Sequence, residues 1–282
     1  MTMKTHNPKH TAYIIVKTFV LLCFLIIVLF PFYWLFQTSF KNPKDIAQFP
    51  PTYWPNPFTW ENYDTIFHMQ NFGRYILNSV SVSLVASFMC VLIGLLGSYV
   101  LARFTFRGKS KILMFYLITQ MIPGFLGMAA LYTMISRFGM MDKLTTLMIL
   151  YTVMLIPYCT ITLRGFFAQV PRALEEAAQI DGCNRISSLF RVILPVILPG
   201  VSATFMFSFV QCWNEVFSAI MYINRSSSYT IPVALNSLVL KYDVKWGELS
   251  AGAVISIIPS IAMFAFAQKY IASGLVNGAV KG

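Results

Sequence analysis

The chain has 282 residues, 57% of them hydrophobic and only 11% charged, with a formal net charge of +11. A soluble domain of this size carries roughly a quarter charged residues, so the composition excludes an ordinary soluble domain and points to a polytopic membrane protein. The basic surplus needs no nucleic-acid partner, because membrane proteins gather cations in the loops on one side of their spans.

Apolar runs longer than about 18 residues mark membrane helices. Six are predicted, at about 13–36, 79–101, 112–135, 144–163, 201–223 and 250–270. The runs are continuously apolar rather than alternating, which argues for helices over a closed barrel. The first run is too long for the core of a signal peptide, and no small-residue cleavage pattern follows it. Phe32, Tyr33, Trp34 and Phe36 cluster at its far end as an interfacial aromatic belt would. It is therefore expected to be a mature helix.

The loop that follows, 37–78, is rich in proline and aromatics: Phe49-Pro50-Pro51, Trp54-Pro55, Pro57 and Trp60. It is expected to pack as a cap, either as a lid over helix ends or as a resting place for a partner. The second span carries Ser79, Ser83 and Ser87 at helical spacing, a small-residue stripe suited to close helix contact. After it come Ala102-Arg103-Phe104 and Arg107-Gly108-Lys109-Ser110. Gly108-Lys109-Ser110 looks like the end of a phosphate-binding loop, but that pattern needs glycine where Arg103 stands and a strand before it. The chain is therefore expected to have no nucleotide site of its own.

Pro123-Gly124, Pro157 and Pro259 are expected to kink the third, fourth and sixth spans. Such kinks serve either as hinges or as static shape. The fifth span contains Gln211, Asn214 and Glu215, and the third contains Gln120. Polar groups in spans face the bundle interior or a cavity. For Asn214 and Glu215, a hydrophilic path for a hydroxyl-rich solute and interhelical hydrogen bonding remain equal alternatives, whereas packing is the simpler account of Gln120. The last loop between spans, 238–248, carries Trp246, and the sixth span repeats the small-residue stripe at Gly252, Ser256 and Ser260. Cys23, Cys90, Cys159, Cys183 and Cys212 have no paired spacing, so neither a disulfide framework nor a metal site is indicated. The chain reads as one transmembrane domain over 1–282.

Charge sets the orientation. If the N-terminus is cytoplasmic, Arg103, Arg107, Lys109, Lys111, Arg164, Arg172, Arg185 and Arg191 lie inside, opposed only by Glu175, Glu176 and Asp181. Most of the remaining acids, Asp45, Glu61, Asp64, Asp142, Asp243 and Glu248, then lie outside. The positive-inside rule thus puts both termini in the cytoplasm.

The one long inner loop, 164–199, is the most informative segment. Pro171 suits the first turn of a helix, and Glu175 and Glu176 lie near the positive end of its dipole. Ala173, Leu174, Ala177 and Ala178 form a short apolar stripe, and Gly182 stops the helix. A second helical piece, 185–192, is expected to run until Leu194-Pro195 and Leu198-Pro199 redirect the chain. The result is a short helix along the membrane surface. An amphipathic helix resting on lipid is the alternative, disfavoured because its polar face is acidic near a leaflet that attracts cations.

Glu176-Ala177-Ala178, then Gly182, then Val192 and Leu194-Pro195, stand at the spacing of the cytoplasmic coupling signature of permease subunits of ABC importers, with Val192 where the family usually has isoleucine. Trp213-Asn214-Glu215, Tyr229-Thr230-Ile231-Pro232-Val233, Ala102-Arg103-Phe104 with Arg107-Gly108, and the tail from Gly274 to Gly282 resemble the maltose-type carbohydrate permeases. The resemblance covers nearly the whole chain. It implies an all-α, six-helix type I importer permease in a bacterial cytoplasmic membrane. It also implies a second permease subunit, two ATPase subunits that bind ATP and magnesium, an extracytoplasmic solute-binding protein and a sugar substrate. By resemblance, Glu175, Glu176, Ala177, Ala178, Asp181, Gly182, Leu194 and Pro195 form the ATPase-coupling segment. Gly278, Ala279, Val280, Lys281 and Gly282 likewise reach the ATPase interface. No cofactor is expected in this chain.

Two rivals stand beside this. A self-sufficient secondary transporter of a small polar solute would show internal repeats and a titratable relay, for which only Glu215 qualifies. An intramembrane enzyme would need a nucleophile–base or metal constellation, but His6, His10 and His68 all lie outside the spans.

Overall fold

The computed structural model describes residues 8–68, 71–239 and 244–279, with side chains from Tyr13 to Gln268 within those stretches. In chain order the helices are α1 (Pro8–Thr38), α2 (Pro43–Ile46), α3 (Glu61–His68), α4 (Phe72–Arg103), α5 (Lys109–Met121), α6 (Met128–Arg137), α7 (Leu144–Gln169), α8 (Arg172–Ile180), α9 (Arg185–Ser188), α10 (Leu194–Asn214), α11 (Phe217–Tyr222), α12 (Ile231–Ser237) and α13 (Trp246–Ala279). Among the described residues the only β-pairing is an isolated bridge between Val239 and Val244.

Among the described residues five helical runs are long and apolar enough to cross a bilayer, or six if a bent pair is counted as one span. Helical runs stand at the six predicted positions, but the third is broken more sharply than the expected kink and the fifth is interrupted. The third is broken by 92° between Lys109–Met121 and Gly124–Arg137. Pro123 has no N–H to continue the ladder, and it holds Ile122 in an extended conformation at ψ 121°. The fifth ends at Asn214, turns through an extended Glu215, and resumes as α11. By contrast, α7 and α13 continue through Pro157 and Pro259.

The prolines after α9 do not redirect the chain. Arg185–Asn214 runs as one apolar helical span. A π-type turn at Leu189–Ile193 precedes Pro195, with the Leu194 N–H bonded back to Leu189. Widening the helix there accommodates a proline whose ring would crowd the carbonyl one turn earlier.

Contacts divide the chain into two compact units. One comprises residues 1–71 and 238–255, the other 72–237 and 256–282. In the first, α1 exposes its apolar side chains along its length, with Ile27 71% exposed. Beyond α1 the loop packs around an aromatic cluster. The Phe40 ring stacks on Phe58 at 4.4 Å and meets Trp60 and Tyr63 at 5.0 and 5.1 Å. Asn62 Nδ2 ties α3 to the end of α1 by donating to the carbonyls of Ser39 and Lys41, at 2.9 and 2.8 Å. Lys41 is buried, donates to the Thr52 carbonyl and lies 5.2 Å over the Trp34 ring. Burial lowers the Lys41 pKa, partly offset by Asp45.

In the second unit α4 packs along α7, with α10 against both. Their contact is close because Gly94 leaves no room for a side chain: a Cβ there would lie 2.7 Å from Cys159 Cβ. Ser79, Ser83 and Ser87 are buried, as their stripe predicts. Ser79 also accepts the Ile231 N–H at 2.7 Å and so receives the start of α12. Cys90, Cys159 and Cys212 are buried free thiols packed in the helix contacts. Side chains in the membrane would otherwise meet lipid rather than water, so this core is held by close dispersion contact more than by water exclusion.

Candidate functional site

The segment after α7 is built for a short, independent helix. Val170 is extended, Pro171 stands at the position just before the first turn of α8, and Glu175 sits in that turn, where a carboxylate complements the helix dipole. Gly182 ends α8 with φ +89°. Its N–H bonds to Gln179 and that of Cys183 to Ala178, at 3.1 and 2.9 Å, the paired pattern that closes a helix on a left-handed residue. Asn184 starts the next turn by accepting the Ser187 N–H at 2.8 Å.

The two adjacent acids face opposite ways. Glu175 is buried, whereas Glu176 is exposed. Tyr99 donates its hydroxyl to Glu175 Oε1. Arg103 Nε lies 2.9 Å from Glu175 Oε2, an ion pair by proximity whose N–H is not aimed along the contact. The same guanidinium donates to the Val170 carbonyl at 3.0 Å. Around the pair, the Tyr99 ring meets Phe167 and Phe104 at 5.7 and 6.0 Å, and Arg185 lies 4.9 Å over Phe104. The end of α4 and the first turn of α8 are thus joined by a buried charge pair inside an aromatic wall.

The expected coupling residues therefore divide. Glu175 and Ala178 are buried and Leu194 packs on the core that includes Leu163, Phe167 and Ile193. Glu176, Ala177, Asp181, Gly182 and Pro195 are exposed, together with Ala173, Leu174, Ile180 and Ile186. Ile180 is 86% exposed and Leu174 38% exposed. Tyr99 carries no signal in the sequence, and Arg103 stands in the Ala102-Arg103-Phe104 motif among the inner cations. Nothing local announces a pairing with an acid 76 positions away.

Gln120 is exposed on α5, and Gln211 and Asn214 are exposed on α10. Glu215 is engaged: it accepts the Tyr151 hydroxyl at 2.9 Å, the Ser218 N–H at 3.1 Å and the Ala219 N–H at 3.3 Å. Its carboxylate caps α11 at the break. Gly278 and Ala279 lie in the last turn of α13, and Val280, Lys281 and Gly282 lie outside the described residues. Among the described residues no three His, Cys, Asp or Glu side chains are grouped to hold a metal.

Residues 91–277 match the family model of binding-protein-dependent transport system inner membrane components. The chain is 36% identical to the diacetylchitobiose uptake system permease protein DasC of Streptomyces coelicolor, over 90% of this chain and 92% of that one. It is 32% identical to the trehalose/maltose transport system permease protein MalG of Thermococcus litoralis, over 91% and 93%. It also superposes on a chain of a bacterial ABC transporter involved in the import of the acidic polysaccharide alginate. That TM-score is 0.81 at 20% identity, covering 95% of this chain and 99% of the other, a likeness of fold. The family match spans α8 and its anchor on α4, and the relatives align over nearly the full length: the chain belongs to the binding-protein-dependent transport system inner membrane components.

Proposed function

We propose that this chain is one permease subunit of an ABC importer that moves a carbohydrate into a bacterial cytoplasm, with α8 as the helix on which an ATPase subunit seats. The observation that carries this is the split character of α8. Its inner side is fixed to α4 through Glu175, while Glu176, Ala177, Ile180 and Gly182 are left exposed on a surface with apolar and acidic character. The names of the relatives, a diacetylchitobiose and a trehalose/maltose system, support a sugar as the solute.

In this account the whole chain acts as one permease domain. Both termini lie in the cytoplasm, and the tail from Gly278 to Gly282 reaches the ATPase interface. A second permease subunit completes the pathway, and an extracytoplasmic binding protein delivers the sugar. ATP and magnesium are bound by two ATPase subunits, whose closure displaces α8 and, through it, the spans. Gln120, Gln211 and Asn214 present polar groups to the path, and Glu215 shapes the break in the fifth span rather than binding solute.

Affinity purification of the tagged chain from native membranes in mild detergent, followed by mass spectrometry, tests this assembly. Recovery of an ATPase with a phosphate-binding loop and of a second permease is expected. A monomer or homodimer that moves solute in liposomes without ATP overturns it in favour of a secondary transporter.

A further inference from the structure

The exposed face of α8 explains how a partner would seat on it, but not how movement of so short a helix reaches the spans. Two chain links flank α8: the extended Val170-Pro171 before it and the turn at Asp181–Asn184 after it. Both are single-strand connections, and a helix hung on such connections alone would swivel under load. The buried side of α8 supplies what the links lack.

We propose that Glu175 is a strut rather than a docking residue, and that Tyr99 and Arg103 are positioning residues that carry displacement of α8 directly into α4. This rests on the reading of α8 as the ATPase-seating helix. Three observations support it. First, both carboxylate oxygens of Glu175 are committed within this chain, Oε1 to the Tyr99 hydroxyl and Oε2 to the Arg103 guanidinium. The side chains of Arg103 and Glu175 are only 9% and 10% exposed, so neither is free to meet a partner. Second, the guanidinium also holds the Val170 carbonyl, at 3.0 Å. One arginine thereby fixes both the first turn of α8 and the chain entering it. Third, the anchor stands at the end of α4, the helix with the most extensive packing against α7 and α10. A push on α8 is then delivered to the core of the second unit rather than absorbed in its connections. A buried carboxylate that accepts a directional hydrogen bond from the Tyr99 hydroxyl and lies against a guanidinium suits this work, because it resists sliding in a way that apolar contact does not.

The test uses the complete transporter, reconstituted with its ATPases, second permease and binding protein. It reads two quantities for each variant: the ATPase retained on purification, and the ATP hydrolysed per sugar imported. Tyr99→Phe removes the hydroxyl and keeps the ring. Glu175→Gln keeps the shape and removes the charge. Both are expected to retain the ATPase at the wild-type level while the ATP used per sugar rises about threefold or more, the scale of a change in coupling energy. Glu175→Asp, which keeps the charge, is expected to restore part of the ratio. Where Glu175→Gln does not reach the membrane, Arg103→Lys is read in its place. Loss of the ATPase from the Glu175→Gln complex overturns the proposal by assigning Glu175 to docking. Wild-type stoichiometry in both Glu175→Gln and Tyr99→Phe overturns it by showing that the strut carries nothing. If instead the wild-type complex itself imports without ATP, the seating of an ATPase on α8 fails, whatever the variants do.

Discussion

The Tyr151 hydroxyl donates to Glu215 Oε2 across 2.9 Å, linking the first third of α7 to the break between α10 and α11. The same carboxylate accepts the N–H groups of Ser218 and Ala219, so it satisfies the start of α11 where lipid offers no substitute. Tyr151→Phe leaves the backbone donors served and is expected to cost about 1 kcal/mol, whereas Glu215→Ala strands them and is expected to cost about 1–3 kcal/mol. Thermal unfolding of the purified complex in detergent checks the order. A larger loss in Tyr151→Phe than in Glu215→Ala contradicts the capping role.

Gly182 combines a left-handed backbone with open surroundings, since a Cβ there meets nothing within 4 Å. Gly182→Ala is therefore expected to cost only about 1 kcal/mol of backbone strain. Gly182→Leu is expected to leave membrane insertion intact while uncoupling ATP hydrolysis from uptake, because the added bulk lies where the ATPase would seat. Normal uptake by an assembled Gly182→Leu transporter removes this residue from the coupling surface.

Asp142 links the loop before α7 to the chain beyond α11. Its Oδ1 accepts the N–H groups of Asn224 and Arg225 at 2.5 and 2.8 Å, and Ser228 Oγ donates to its carbonyl at 2.9 Å. The Arg225 N–H, then that of Asn224, holds the carboxyl below its usual range. A lowered folded pKa means that the ionised form stabilises. That contribution is complete above about pH 4, the unfolded value, and is lost as pH falls through the lower folded value. Asn in place of Asp142 tolerates the residue's φ of +62° but carries no charge. Wild type is thus expected to unfold at a higher temperature than Asp142→Asn near neutral pH, with the gap closing below about pH 4. A gap that does not vary with pH contradicts the assignment.

Gly247 lies against Asn62 so closely that a Cβ would stand 2.3 Å from Asn62 Oδ1. Gly247→Ala is expected to displace the amide that holds the Ser39 and Lys41 carbonyls and to destabilise the first unit by about 1–3 kcal/mol. Limited proteolysis within 37–68 should accelerate in that variant, and unchanged cleavage would show that Asn62 is not the tie.

Much of this architecture can be read from the chain. Uninterrupted apolar runs mark the spans, and Pro171 and Gly182 delimit α8 because proline fixes its own φ and glycine alone accepts a left-handed one without strain. The breaks are less legible. Pro123 announces a kink but not a 92° turn, and Glu215 looks like a costly carboxylate until α7 brings Tyr151 beside it. Pro195 and Pro199 suggest a change of direction, yet a widened turn absorbs the first and the helix continues through the second. Glu175 and Glu176 look alike in sequence, and their opposite roles follow from the roughly 100° between successive helical residues together with Arg103, which only folding brings near.

The most direct test of the whole account is uptake of radiolabelled sugar into proteoliposomes that hold this chain, its partner permease and the ATPases, with binding protein supplied on the loading side. The account predicts uptake that requires ATP on the opposite side and stops when the ATPases or the binding protein are left out. Uptake by this chain alone, driven by an ion gradient and indifferent to ATP, would contradict it.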